Sequence, residues 1–154
     1  MSTPEERIVA LGIVLPEVGK PRWAYRPCVR SGNLIFVSGQ IATEAGRILF
    51  PGKLGREIDL ASGVEAARGC AVSALAIVRK ELGSLNNVAQ VVKSTVFVAS
   101  AEGFGEQPTV ANGASELLRD VFGDLGLGAR SAVGMAELPL GASVEAEFIF
   151  EAKA

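Results

Sequence analysis

The sequence predicts an α+β fold in which two helices cover one face of a mixed six-stranded β-sheet. Three observations lead to this prediction. Apolar residues recur at helical spacing along residues 64–82, apolar and polar residues alternate along residues 143–151, and β-branched residues dominate residues 91–99. The first pattern is typical of an amphipathic helix, and the other two are typical of strands. The predicted order is strands, helix, strand, helix and two strands.

The chain of 154 residues contains no repeat, low-complexity tract or linker that would divide it. Residues 1–154 are therefore predicted to form a single domain, with residues 1–20 as its N-terminal extension. A short helix is expected over residues 3–11. Pro16 and Pro21 then break the helical pattern and lead into extended chain.

The first strands are expected before the long helix. Residues 25–30 and 34–38 are predicted to pair as a hairpin, because the Ser-Gly-Asn turn at residues 31–33 tolerates positive φ. Residues 47–54 are predicted to form a further strand that bends at its Pro-Gly dipeptide. The sequence thus places three strands ahead of the first long helix.

Two long helices are predicted. The first starts with a capping box, because Ser62 is followed three residues later by Glu65, and Gly83 suits its C-terminal cap. Small residues on its inward face allow close approach to a sheet; this face carries Val64, Ala67, Ala71, Ala74, Leu75, Val78 and Leu82. The second helix is expected over residues 108–122, with a proline at its start.

The last two strands are expected over residues 130–137 and 143–151. In the final strand, one set of side chains is apolar and is predicted to face the helices, namely Val144, Ala146, Phe148 and Phe150. The alternate set is Glu145, Glu147, Ile149 and Glu151. Two helices cannot cover both faces of such a sheet. A face with both apolar and charged side chains therefore indicates a subunit interface that contains a polar pocket.

Composition argues against several functional classes. The net charge is −2 and the Lys and Arg residues form no block, so nucleic acid is not an expected partner. No uninterrupted apolar run approaches the ~18 residues of a membrane span, so no membrane association is expected. Acidic residues close to the N-terminus argue against a secretory signal. A cytoplasmic location is therefore expected.

The absence of histidine limits the chemistry that the chain can perform. It excludes Ser-His-Asp and Cys-His nucleophile systems and histidine-ligated metal sites. Cys28 and Cys70 lie too far apart for a zinc spacing or a disulfide framework, so both are expected to be free, buried thiols. No metal site is predicted, and catalysis would depend on carboxylates, Arg, Tyr, Ser, a thiol or backbone groups.

Arg130 and Glu145 are the first candidates for a functional site. A guanidinium at the start of a strand can hold a carboxylate through two hydrogen bonds, although Arg130 could equally be a solvated or salt-bridged arginine. Glu145 and Glu147 share one face of a strand, and paired carboxylates can raise each other's pKa. The alternative for this pair is a solvent-facing strand edge.

Three further residues are candidates with weaker signals. Tyr25 could line a pocket mouth or pack in an interface, and Ser38 ends a strand where it could donate a hydrogen bond or simply terminate the strand. Asn112 precedes Gly113 inside a helix, where glycine costs about 1 kcal/mol relative to alanine. A close packing or pocket role is plausible there, and Asn112 could also be an internal cap.

Three segments, in this order, resemble signatures of the Rid family, also called YjgF-like or L-PSP endoribonuclease-like. Asn33-Leu34-Ile35-Phe36-Val37-Ser38-Gly39-Gln40 resembles the early "SGQ" signature, and residues 91–98 resemble the central "VVKTTVFV" strand. Arg130-Ser131-Ala132-Val133, followed by Leu138-Pro139 and Val144-Glu145-Ala146-Glu147, resembles the C-terminal signature. The resemblance covers residues 25–150.

The resemblance implies a chorismate-mutase-like fold, a homotrimer and clefts between subunits. It implies hydrolysis of 2-enamine or 2-imine acids, such as 2-aminoacrylate, to 2-keto acids and ammonia without a cofactor. The family's substrate-carboxylate arginine corresponds to Arg130, and its water-activating glutamate corresponds to Glu145. Its remaining site positions correspond to Tyr25, Ser38 and Asn112. The expected partner is therefore a small carboxylate-bearing metabolite.

Departures from the family pattern leave alternatives open. Gly128-Ala129 stands where Pro-Ala usually precedes the arginine, and Ala132 stands where many members have cysteine. One alternative is a non-catalytic or regulatory trimer that binds a small carboxylate. Ribonuclease activity, which the older family name suggests, is disfavoured because no basic path or histidine pair is present. Chorismate mutase activity would follow only from fold analogy.

Overall fold

The structure is a computed structural model that describes residues 2–154. Its helices and strands follow the chain in this order: α1 (Pro4–Ala10), β1 (Cys28–Ser31), β2 (Leu34–Ile41), β3 (Thr43–Glu44), β4 (Arg47–Ile48), α2 (Leu60–Leu82), β5 (Val88–Ala99), α3 (Gln107–Phe122), β6 (Ala129–Met135) and β7 (Val144–Ala152). The α+β class and the two long helices on a mixed sheet are as the sequence predicts.

The main sheet has five strands in the order β1-β2-β7-β5-β6. All neighbours are antiparallel except β5 and β6, which are parallel and make the sheet mixed. β1 and β6 are its two edges. This order places the last strand, β7, in the middle of the sheet and puts β6 at an edge.

The prediction of six strands in one sheet is wrong. Residues 47–54 do not add a strand, because only Arg47–Ile48 is extended and it pairs with Thr43–Glu44 in a separate two-stranded ribbon. The backbone is left-handed at Ala45, with φ 48°, and at Phe50, with φ 54°. Left-handed residues interrupt an extended strand, which explains why this segment cannot continue along the sheet.

The first long helix begins two residues before the predicted capping box. Asp59 is its N-cap, and the Asp59 carboxylate accepts a 2.8 Å hydrogen bond from the Ser62 backbone N–H. This bond lowers the pKa of the Asp59 carboxyl. Asp and Ser are comparable N-caps, so the sequence alone offers two starting points for the helix. The C-terminal cap is Gly83, as predicted, in the left-handed region with φ 77°.

The core lies between the sheet and the two long helices. α2 packs over β2 and β7, and α3 packs over β5 and β6. The inward side chains of β7 are almost fully buried, as the alternation predicts: Val144, Ala146, Phe148 and Phe150. Cys70 is also fully buried in this core, and burial raises the pKa of its thiol to about 12. Cys28, expected to be buried, is only half-buried.

By length and composition alone, α2 meets the requirements for a membrane span, contrary to the sequence argument. Its most apolar 18-residue window has a mean hydropathy of 1.3, and 56% of that window is buried inside the domain. Its small inward residues allow this close packing, since a Cβ at Gly69 would lie 2.6 Å from the Cβ of Ala42. The apolar character of α2 is thus accounted for by its place in the core.

The second face of the sheet, which we call the open face, is not covered by helices. The residues of β7 on this face are Glu145, Glu147, Ile149 and Glu151, and their cross-strand neighbours include Phe36, Phe97 and Ile41. Val29, Phe36 and Val133 are exposed by 49%, 43% and 41% on this face. The open face therefore combines apolar side chains with carboxylates, as predicted.

The N-terminal region packs along the edge of the domain. α1 starts with a capping box between Thr3 and Glu6, and Glu5 accepts a 2.8 Å hydrogen bond from the Leu85 backbone N–H. Residues 12–27 then form an irregular segment, which we call the strap. Ile13, Leu15 and Val18 of the strap pack against the core. The strap connects α1 to β1 across the outside of α2.

Gly113 of α3 packs directly against the backbone of α2. A Cβ at this position would overlap the carbonyl oxygen of Val64 and lie 2.9 Å from its carbonyl carbon. The atom in the way belongs to helix backbone, which cannot move aside cheaply. The glycine therefore serves close helix packing, which is one of the roles that the sequence left open.

We expect Gly113→Ala to destabilise the protein by about 1–3 kcal/mol, although alanine is the better helix former, because it overpacks the α2–α3 contact. Chemical unfolding at fixed protein concentration measures this change. Gly105→Ala is the matched control, because nothing lies within 4 Å of its added Cβ. A Gly113→Ala variant as stable as Gly105→Ala would contradict the packing account.

Candidate functional site

Arg130 lies on the edge strand β6 and its side chain turns toward α3. Its Nη1 donates hydrogen bonds to Asn112 Oδ1 at 2.8 Å and to Ser115 Oγ at 3.2 Å, and its Nη2 donates to the Pro108 carbonyl at 3.3 Å. We call this arrangement the clamp. A guanidinium has five N–H groups, so three bonds leave the Nε–H and one Nη2–H. These two adjacent donors match the two oxygens of a carboxylate.

The clamp borders a cavity of about 350 Å³ between α3 and the edge of the sheet. Ser94, the register partner of Arg130 on β5, lines this cavity and is only 4% exposed. Ser115 and Arg119 of α3 line it as well. Sequence reasoning missed Ser94 and Ser115. The signal for Ser115 was its position three residues after Asn112, on the same helix face.

Glu145 lies on the open face, in the middle of the sheet. Its neighbours across the strands are Ile41 on β2 and Phe97 on β5, and Glu145 is half-buried between them. Burial raises the pKa of the Glu145 carboxyl, and the nearby charge of Glu147 raises it further. Glu145 is therefore a carboxyl group that holds its proton to higher pH than an exposed glutamate.

A β-bulge places the backbone of β2 directly against Glu145. The register between β2 and β7 shifts between Val37 and Gln40, so Ser38 and Gly39 together oppose one residue of β7. A Cβ at Gly39 would overlap the Glu145 carboxylate. Glycine at this position therefore gives the carboxylate its space. The Ser38 hydroxyl donates a 2.6 Å hydrogen bond to the Arg26 carbonyl. This bond connects the segment just before β1 to the bulge.

Tyr25 lies at the end of the strap and is 48% exposed. It lines a cavity of about 360 Å³ together with Trp23, Gly39 and Gln40. The predicted strand over residues 25–30 begins only at Cys28, so Tyr25 belongs to the strap and not to the sheet. Its side chain therefore lines a cavity that adjoins the bulge at Gly39.

The five candidate residues form two separate groups within one chain. Arg130 and Asn112 belong to the clamp, on the helix-covered face at the β6 edge. Tyr25, Ser38 and Glu145 surround the β2 bulge, and we call them the bulge group. Arg130 and Glu145 project from opposite faces of the sheet, with β5 between their strands. One chain therefore does not bring the arginine and the glutamate together.

Across residues 2–154, no three His, Cys, Asp or Glu side chains are grouped so that they could hold a metal ion. The polar groups of the two candidate groups are a guanidinium, a carboxyl, hydroxyls and an amide. Such groups can bind an anion, orient a water molecule and accept a proton.

The chain matches, over residues 5–151, the family described as "YjgF/chorismate mutase-like, putative endoribonuclease". It is 43% identical to Protein TCP17 of Trypanosoma cruzi over 142 residues, which cover 92% of this chain and 89% of that protein.

Two solved structures are similar over nearly their whole length. Atu1372 from Agrobacterium tumefaciens is 45% identical and superposes with a TM-score of 0.90, covering 99% of this chain and 93% of that one. A protein from Shewanella oneidensis is 29% identical with a TM-score of 0.93, covering 97% and 99% of the two chains. The fold, the family match and these relatives agree, and the chain belongs to the YjgF/chorismate mutase-like family.

Proposed function

We propose that the protein hydrolyses reactive 2-enamine and 2-imine acids, such as 2-aminoacrylate, to 2-keto acids and ammonia. The observation that carries this proposal is the clamp. It holds the Arg130 guanidinium from one side and leaves two adjacent N–H donors for the carboxylate of a small substrate. No cofactor takes part in the proposed reaction.

In the proposed reaction the substrate carboxylate binds Arg130, which fixes the position of the adjacent C2 atom. An enamine first takes up a proton at C3 and becomes the imine. A water molecule adds to C2, and the base takes the water proton and passes it to the nitrogen, so that C2 carries a hydroxyl and an amino group. The hydroxyl proton then passes through the base to the nitrogen as the C2–N bond breaks, so ammonia leaves and the keto acid remains. Because the imine is already reactive, bringing water and substrate together supplies much of the rate acceleration.

Glu145 is the proposed base for the attacking water. The backbone at Gly39 leaves room beside its carboxylate, and its raised pKa strengthens it as a proton acceptor. Tyr25 is proposed to border the substrate, because it lines the cavity next to the bulge. These roles rest on geometry and on the family resemblance.

The proposed site requires more than one subunit. Arg130 lies at a sheet edge and Glu145 on the open face, so a second chain is needed to bring one beside the other. The exposed apolar residues of the open face provide a surface for such an assembly. We therefore propose a homotrimer whose clefts each join the clamp of one chain to the bulge group of another.

Arg130→Ala is expected to lower kcat/KM for freshly generated 2-aminoacrylate by about 100-fold or more, because the carboxylate loses its bidentate partner. Asn112→Ala should lower kcat/KM by a smaller factor, because Arg130 remains but loses one of the hydrogen bonds that hold it. Ammonia and keto-acid release above the uncatalysed rate measures both.

Arg56→Ala is the control, since Arg56 lies in an exposed ion pair with Glu57 and lines neither the clamp cavity nor the Tyr25 cavity. If wild type binds the carboxylate without turnover, the binding-module alternative replaces the deaminase. RNA cleavage by the wild type that disappears in Arg130→Ala would favour the ribonuclease alternative.

The raised pKa of Glu145 predicts the pH dependence of the reaction. A base acts only when deprotonated, so kcat/KM should rise with pH through the pKa of Glu145, above the ordinary value of 4.5 for glutamate. Glu145→Gln should remove this rising limb and leave a low rate. A rising limb that persists unchanged in Glu145→Gln would show that another group is the base.

The assembly is tested by placing a charge on the open face. Phe36→Lys should lower the mass measured by light scattering at micromolar concentration. The mass should fall from three times the chain mass of 16.0 kDa toward the mass of a single chain. Val14→Lys is the matched control, because Val14 is 87% exposed and lies on the strap. A wild-type monomer, or a Phe36→Lys trimer with full activity, would contradict the proposed interface.

A further inference from the structure

A third cavity, which we call the basic cavity, lies at the β1 edge of the domain, beside the cavity that Tyr25 lines. It has a volume of about 570 Å³ and is lined by the strap, by β1 with the residues just before it, and by the last turns of α2. This volume is within the range of small-molecule sites. β1 and β6 are opposite edges of the sheet, so the basic cavity is remote from the clamp of the same chain.

The basic cavity concentrates positive charge. Lys20, Arg26, Arg30 and Lys80 line it, and Glu81 is the one acidic residue in its lining. The chain as a whole carries a net charge of −2, so the lining of the basic cavity has a charge opposite in sign to that of the whole chain. Like charges gathered at one concave surface repel each other and raise the local concentration of anions.

The four cations have no carboxylate partner in the part of the chain that the structure describes. The ion pairs found there involve Lys53, Arg56 and Arg79 instead. Lys80 donates a 3.2 Å hydrogen bond to the Val18 carbonyl, and Arg30 donates from Nε to the Gly32 carbonyl at 3.1 Å. These bonds position the two side chains, while two ammonium N–H groups of Lys80 and four guanidinium N–H groups of Arg30 remain.

The floor of the basic cavity is largely apolar. Val18 and Pro21 of the strap, Pro27 and Ile77 line it and are half-buried or buried, whereas the four cations are exposed. A rim of cations above an apolar floor suits an anion with several negative charges and a small organic body. A single carboxylate would neutralise only part of the charge, whereas phosphate esters and polycarboxylates match it better.

We propose that the basic cavity is a second ligand site that binds a multiply charged organic anion, a phosphate ester or polycarboxylate of metabolite size. It shares Lys20 and its apolar lining with the cavity that Tyr25 lines, and it is separate from the clamp of the same chain. Anion binding is measured without turnover, so this site is tested apart from the proposed deaminase activity. Its elements come from parts of the chain that are far apart in sequence, which the fold brings together through the strap and α2.

Isothermal titration of the wild-type protein with pyrophosphate and with citrate, at low ionic strength, tests this proposal. We expect saturable binding of at least one probe, weakened about tenfold or more by Lys20→Ala and by Arg30→Ala, since each variant removes a charged hydrogen-bond donor from the cavity lining. Acetate should bind far more weakly than either probe. Binding of pyrophosphate alone would indicate a phosphate ester, and binding of citrate alone a polycarboxylate.

Lys153→Ala and Arg47→Ala are the matched controls, because each removes one exposed positive charge that does not line the basic cavity. Both controls, and Arg130→Ala, should bind the probe like wild type. The proposal is overturned if neither probe binds saturably, or if the controls weaken binding as much as the cavity variants. Loss of binding in Arg130→Ala would assign the anion to the clamp instead.

Discussion

The structure depends on the two-sided character of the central strand β7. One set of its side chains is buried under the helices, and the other projects from the open face, where Glu145 is half-buried between Ile41 and Phe97. A one-residue shift in register would exchange the two sets and expose the core. The burial that stabilises the domain therefore also fixes the face on which Glu145 lies and keeps its pKa high.

The same constraint determines what a single chain can do. Arg130 is held on the helix-covered face by α3, while Glu145 lies on the open face, so the sheet itself separates the guanidinium from the carboxyl. Assembly and function are therefore linked. An apolar open face that binds another chain would supply the missing half of the site, and a chain that stayed monomeric would have a carboxylate clamp without a base beside it.

Local patterns predicted the parts of the fold that local physics controls. The alternation of β7 and the periodicity of α2 follow directly from side-chain burial. The helix start at Asp59 was missed because two good N-caps compete. The split of the third strand was missed because Ala45 and Phe50, which rarely adopt positive φ, do so here, and Gly46 beside Ala45 was not interpreted as a turn. The proximity of Arg130 and Asn112, and the gathering of cations in the basic cavity, arise from contacts between distant segments, which periodicity cannot indicate.

Mixed-subunit complementation tests the shared site most directly. Arg130→Ala and Glu145→Gln chains, each nearly inactive alone, are unfolded together, refolded as a 1:1 mixture and assayed for ammonia release from 2-aminoacrylate. If each cleft takes its arginine and glutamate from different chains, about one quarter of the clefts in a random trimer regain both residues and a matching share of wild-type turnover. Mixed assemblies that form but stay as inactive as the separate variants would contradict the account, because both residues would then have to come from one chain.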